Sequence, residues 1–310
     1  MLKRIGNILT AIALFFIVYK LVRLDINFSL YHDWPRLLVC VILGIIPAVT
    51  GIFLGSWAWQ LFLEALSDTK LKYLEVFHIF SKANIGKYLP GNIMHFVERN
   101  LFAANHGLGQ LETLTGTLME IAGQLLASLL ISAALAFPEF YLFLSQSMTT
   151  GRVLVGGTLI IVGIVGLILF CRKNTKLREM LARICSFRFA KTFAFSTFLY
   201  FMAFAINCLT MLLALYAIRP FTSLSTLPLV FAMGTLAWLV GYVTPGAPGG
   251  IGIREVVLST MAAHTEFGDI ILVAAVGQRF MFIASDFVAY LLGNILYKAP
   301  SVTTEPTPKK

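Results

Sequence analysis

The sequence predicts an all-α polytopic membrane protein, with about six transmembrane helices and two re-entrant helical hairpins in an inverted 3+3 repeat. Three observations lead there. The chain of 310 residues is 58% hydrophobic and only 13% charged, against about 25% charged in soluble domains. Several uncharged runs reach the ~20 helical residues that a bilayer requires. Two Pro-Gly-broken segments, half a chain apart, carry the same residues at the same spacing. A β-barrel is excluded, because barrel strands are short and alternate in polarity.

The elements follow in chain order. Segment 5–22 begins with the signal-like "MLKRIGNILTAIALFFIVYK". It lacks a small-residue cleavage site and reads as a retained first helix. The second span is 37–63, with Trp57 and Trp59 near its end as interfacial anchors. Region 75–104 is hydrophobic yet carries Glu75, His78, Lys82, Lys87, His95, Glu98 and Arg99 around Pro90-Gly91. It reads as a hairpin, because Pro and Gly break a helix. Spans 113–137, 153–171 and 192–218 come next. Region 226–264, with Pro228, Pro245, Pro248 and "TPGAPGGIGIREVV", is a second hairpin whose limb from Ile251 to His264 is too short to cross. The last span is 270–297. Residues 1–298 form one transmembrane domain, repeat 1 about 1–140 and repeat 2 about 150–298. The Pro-rich tail 299–310 is expected to be disordered.

Basic residues orient these spans by the positive-inside rule. Loop 172–191 holds Arg172, Lys173, Lys176, Arg178, Arg183, Arg188 and Lys191 against Glu179, so it is cytoplasmic. Loops 138–151 and 265–269 carry acids and no base, so they face out. Both termini are then cytoplasmic, provided that each hairpin enters and leaves on one side. Loop 20–36 fits least well, since Lys20, Arg23 and Arg36 fall outside. The net charge of +9 sets topology and offers contact with anionic lipid headgroups at 172–191; no nucleic-acid partner is implied. The cysteines, Cys40, Cys171, Cys185 and Cys208, form no C-x-x-C pair and read as reduced packing residues.

A shift of the chain against itself by 155 residues places Gly86 on Gly241, Pro90 on Pro245, Gly91 on Gly246 and Arg99 on Arg254. Both hairpins thus carry G-x3-P-G-x7-R, with Glu98 or Glu255 beside the Arg. Weak internal symmetry of this kind marks transporter folds, whose substrate sites lie near the midplane where broken helices meet.

The Pro-Gly breaks leave backbone N–H groups free at the start of a half-helix, where an anion is attracted. The glycines of "PGAPGGIG", including Gly249 and Gly250, allow close backbone approach. Arg99 and Arg254 offer forks that fit phosphate. The competing reading is that each arginine only pairs with a neighbouring carboxylate and pins its hairpin. Glu120 and Gln124 share a face of the third span, and Gln278, Arg279 and Asp286 lie on the last one. The expected arrangement is a Glu120–Arg279 pair across the repeat axis, with Asp286 in a structural ion pair. Lys87 reads as snorkelling to headgroups. His95 and Glu98 have no third ligand at metal spacing, so no metal or cofactor is expected.

At "NIGKYLPGNIMHFVER" and "TPGAPGGIGIREVVL" the chain resembles the flippase-like transmembrane domain family of lysylphosphatidylglycerol synthases, over nearly its whole length to about residue 297. It looks like a stand-alone member, since no synthase domain follows, and the aminoacyl-transfer activity is not carried over. The resemblance implies a lipid flippase of the bacterial cytoplasmic (inner) membrane. The matched positions are Pro90, Gly91, Arg99, Pro245, Gly246, Gly249, Gly250, Arg254 and Glu255.

The expected function is therefore transport of a phosphate-bearing lipid, a phospholipid or a polyprenyl-phosphate carrier, without catalytic residues. Glu98, Glu120, Gln124, Arg279 and Asp286 would supply intramembrane pairing or coupling. Two alternatives stand beside it: a non-transporting partner of an envelope biosynthetic enzyme, and an integral membrane transferase. Against the latter, the loops lack an Asp-x-Asp pair or a His–Asp cluster for acid–base work.

Overall fold

The structure, a computed structural model, describes residues 33–67, 69–88, 94–135, 175–220, 227–243, 253–263 and 270–297, together with 265, 267 and 268. Among these, all regular secondary structure is helical. Four helices are long and apolar enough to cross a membrane: α1 (Trp34–Ser67), α4 (Gln110–Leu135), α6 (Phe187–Ile218) and α9 (Ile271–Leu296). They coincide with the expected spans 37–63, 113–137, 192–218 and 270–297. The expected spans 5–22 and 153–171, and the tail, lie outside the described residues.

The remaining helices are short. α2 (Tyr73–Asn84) runs into a 3-10 turn at Ile85–Tyr88, and α3 is Met94–Asn105. α5 is Thr175–Ile184, α7 Leu227–Val243 and α8 Ile253–Ala262. The Pro-Gly steps at 90–91 and 245–246 fall between α2 and α3 and between α7 and α8, outside the described residues.

Local chemistry sets the ends. Asp33 accepts from the Arg36 amide at 3.1 Å and caps α1. Ser186 accepts from the Phe189 amide at 3.2 Å and caps α6. Gly107, with φ +78°, closes α3 in the left-handed conformation that glycine adopts at a helix C-terminus. Between α1 and α2, Gln60 donates to the Leu71 carbonyl at 2.9 Å and Glu64 accepts from the Leu71 amide at 2.9 Å. The basic segment expected as a loop is in fact mostly helical. Met180 of α5 is buried beside Leu66 and Phe189, and Arg183 donates to the Leu66 carbonyl at 2.7 Å. Apolar contact and an orphan C-terminal carbonyl thus dock it on the end of α1.

The bundle is organised around α1 and α6, which run antiparallel. Cys40 packs with Ala217, Gly51 meets Asn207, and Ser196 donates to the Ala58 carbonyl at 3.3 Å. The Phe62 and Phe189 rings lie 6.0 Å apart. The other contacts fall into pairs. α4 packs on α1, α6 and α7, while α9 packs on α6, α1 and α2. α3 bridges α2 and α4, while α8 bridges α7 and α9. Leu38, Val39, Ile42 and Ile46 of α1 are exposed, forming the apolar outer face expected against lipid.

Gly51 sits where α1 and α6 cross. A β-carbon there would lie 2.7 Å from the Asn207 side-chain nitrogen and 3.0 Å from its Cγ. Gly51→Leu should overpack the crossing and cost about 1–3 kcal/mol, read as a lowered Tm of the detergent-solubilised protein. An unchanged Tm would show that the helices do not meet at this point.

Candidate functional site

Helix packing alone decides which intramembrane charges meet. α3 lies against α4, so Arg99 reaches Glu120. The arginine is 1% exposed, and its guanidinium sits 4.1 Å from the Phe80 ring centroid and 4.9 Å from that of Trp59. Gln124 donates to the other Glu120 oxygen at 3.1 Å. Both carboxylate oxygens are therefore hydrogen-bonded in a nearly closed aromatic pocket, the arrangement that an ion pair taken out of water requires.

α8 lies against α9 in the same way, and there Glu255 pairs with Arg279 at 2.5 Å. This corrects the expected Glu120–Arg279 pair. Each half pairs the helix after its break with the long helix that follows, with the signs reversed between halves. Asp286 does not pair with Arg279 either, although seven residues separate them. It is 1% exposed and is met by the Lys87 ammonium and the Tyr88 hydroxyl from the 3-10 turn. Lys87 is thus an ion-pair partner and does not simply snorkel. Trp59 is fully buried, which overturns its reading as an interfacial anchor. Helix α1 continues to Ser67 and carries Trp59 two turns inside, whereas Trp57 is 41% exposed.

Glu98 and Arg254 take part in none of these three contacts. Glu98 is 1% exposed, and neither carboxylate oxygen has a hydrogen-bond partner. It lies against Gly86, where any β-carbon would collide with its carboxyl and the His95 amide. The first glycine of the repeated motif thus makes room for the second limb. The other group is Arg254, whose Nε is buried without a hydrogen-bond partner. Its electrostatic neighbours are Arg279, Glu255 and, from the first half, Tyr88. Pro90, Gly91, Pro245, Gly246, Gly249 and Gly250 lie outside the described residues.

Sequence reasoning missed Tyr88, Phe80 and the role of Lys87. Lys87 and Tyr88 meet Asp286 of α9, a partner that local spacing does not reveal. No family model, curated protein or solved structure matches the chain.

Proposed function

We propose that the protein is a lipid flippase that moves a phosphate-bearing lipid across the cytoplasmic membrane. In this reading the headgroup is held between two re-entrant hairpins of an inverted repeat, while the acyl or prenyl chains stay in lipid. The antiparallel crossing of α1 and α6 supports the inversion. Their residue ranges overlap under the 155-residue shift, and an antiparallel pair of equivalent helices is what a twofold axis in the membrane plane would produce. The neighbours of α4, α3 and α2 correspond to those of α9, α8 and α7, which supports the same relation. α2, α3, α7 and α8 are 12, 12, 17 and 10 residues long. At about 1.5 Å per residue none reaches the ~30 Å of a hydrocarbon core, as half-spanning hairpin limbs require. The resemblance to the flippase-like family points the same way.

The observation that carries the reading is Arg254. It stands near the start of the half-helix after "PGAPGGIG", with a buried donor unanswered and Tyr88 of the other half nearby. A phosphate there would receive charge-assisted hydrogen bonds from a guanidinium. Arg99 also has a buried Nε without a hydrogen-bond partner, but its guanidinium is already held in an ion pair by Glu120.

The test is translocation of headgroup-labelled phosphatidylglycerol and of a labelled polyprenyl phosphate in proteoliposomes. Arg254→Ala should cut the rate by at least about tenfold, the loss expected of a charged hydrogen bond, with Tm retained. Wild-type translocation by this variant would remove Arg254 from the path. Inactivity of the wild-type protein toward both lipids would overturn the transport reading.

A further inference from the structure

The two halves differ at one place in a way that identifies an anion site. In the first half the Glu120 carboxylate accepts from Arg99 and from Gln124. The 155-residue shift carries Arg99 onto Arg254, Gln124 onto Arg279 and Glu120 onto Ala275. Both donor positions are therefore arginines in the second half, and the acceptor position has only a methyl group. Ala275 is buried, in the cluster that also holds Val257 and Leu258 of α8.

We infer that Arg254 and Arg279 form a binding site for a phosphate oxyanion, which takes the place that the Glu120 carboxylate fills in the first half. The inference rests on the lipid-transport reading above and names the group that reading must hold. Charge supports it. Arg99 and Glu120 cancel, whereas among the described residues Arg254 and Arg279 share the carboxylate of Glu255, which leaves one positive charge over. A phosphodiester, or a singly ionised phosphomonoester, supplies the missing negative charge. Access supports it as well. The side chains of Arg99 and Glu120 are 1% and 4% exposed, and no ligand could enter between them. Those of Arg279 and Glu255 are 20% and 23% exposed, so the second-half pair is less enclosed than the first-half pair, which is sealed by its own carboxylate. An anion arriving at Arg254 and Arg279 would compete with Glu255, which gives the site a way to respond to occupancy.

The experiment uses the full chain in an uncharged detergent, with Tm followed as a function of added dihexanoyl-phosphatidylglycerol or inorganic phosphate. A saturable rise in wild-type Tm is expected. A response to the short-chain lipid alone marks a headgroup site that also needs the glycerol ester; a response to both marks a site for the phosphate group itself. Ala275→Glu installs the carboxylate of the first half, and Arg254→Gln removes one donor without adding bulk. Each should weaken the response by at least about tenfold. No saturable response in the wild type, or a wild-type response in Arg254→Gln, would overturn the site. Saturable binding by a protein that translocates no lipid in vesicles would leave the site standing and overturn the transport reading alone.

Discussion

Arg99→Ala should be among the most destabilising single substitutions in the protein, and its loss of function should be a loss of fold. The guanidinium is 1% exposed, bound to Glu120 and enclosed by the Trp59, Phe80 and Phe96 rings. Removing it strands a carboxylate that is itself only 3% exposed and leaves Gln124 as its one neutral donor. Breaking a buried pair from one side costs about 3–5 kcal/mol, because an uncompensated charge stays behind. The lost ring contacts add to that. Glu120→Gln should be milder, since the amide keeps a hydrogen-bonding oxygen for Arg99. The double variant Arg99→Ala/Glu120→Ala should recover much of the loss of Arg99→Ala, because no charge is then stranded. A double-mutant cycle on Tm in detergent measures the coupling. A cycle in which the two effects simply add would mean that the pair is not formed. The contrast with Arg254→Ala is the sharper result: two arginines at equivalent positions of one motif, one needed for the fold and the other for the ligand.

Much of the architecture was legible in the sequence, for a physical reason. A bilayer asks one thing of a span, about 20 apolar residues, and 37–63, 113–137, 192–218 and 270–297 met it within a few residues. The short helices were legible in that α2, α3, α7 and α8 flank the Pro-Gly steps, which themselves lie outside the described residues. The pairing of charges was not. The i, i+4 and i, i+7 spacings place Glu120 with Gln124 and Arg279 with Asp286 on one face, but they do not say which helix that face meets. The answer depended on which long helices α3 and α8 pack against. Tyr88 and Lys87 escaped for the same reason, since their partner Asp286 is about 200 residues away. Trp59 was misread because the end of α1 was placed one turn early, which moved a core tryptophan to the interface. The 155-residue shift also aligns Gln124 with Arg279 and Glu120 with Ala275, a comparison that gains meaning only beside the Arg99–Glu120–Gln124 geometry.

The contact of Lys87 and Tyr88 with Asp286 ties the 3-10 turn of the first half to the last long helix of the second, and its two ends are not equivalent. Asp286 is 1% exposed at its side chain, whereas Lys87 keeps 33%. Lys87→Ala therefore leaves a buried carboxylate held by one phenol, with Asp286 Oδ1 already lacking a partner. The cost should approach the about 3–5 kcal/mol of a stranded buried charge. Asp286→Asn leaves the ammonium on a flexible stem that can turn toward water or headgroups, and the side-chain amide still accepts from Tyr88. Its cost should be well below that of Lys87→Ala. Tyr88→Phe removes one hydrogen bond to a charged group, about 1.5–3 kcal/mol. The expected order of Tm loss is Lys87→Ala first, Tyr88→Phe next and Asp286→Asn least, measured on the full chain in one detergent. If Asp286→Asn proved as damaging as Lys87→Ala, the lysine would have no route to water, and the 3-10 turn would have to be closed on every side.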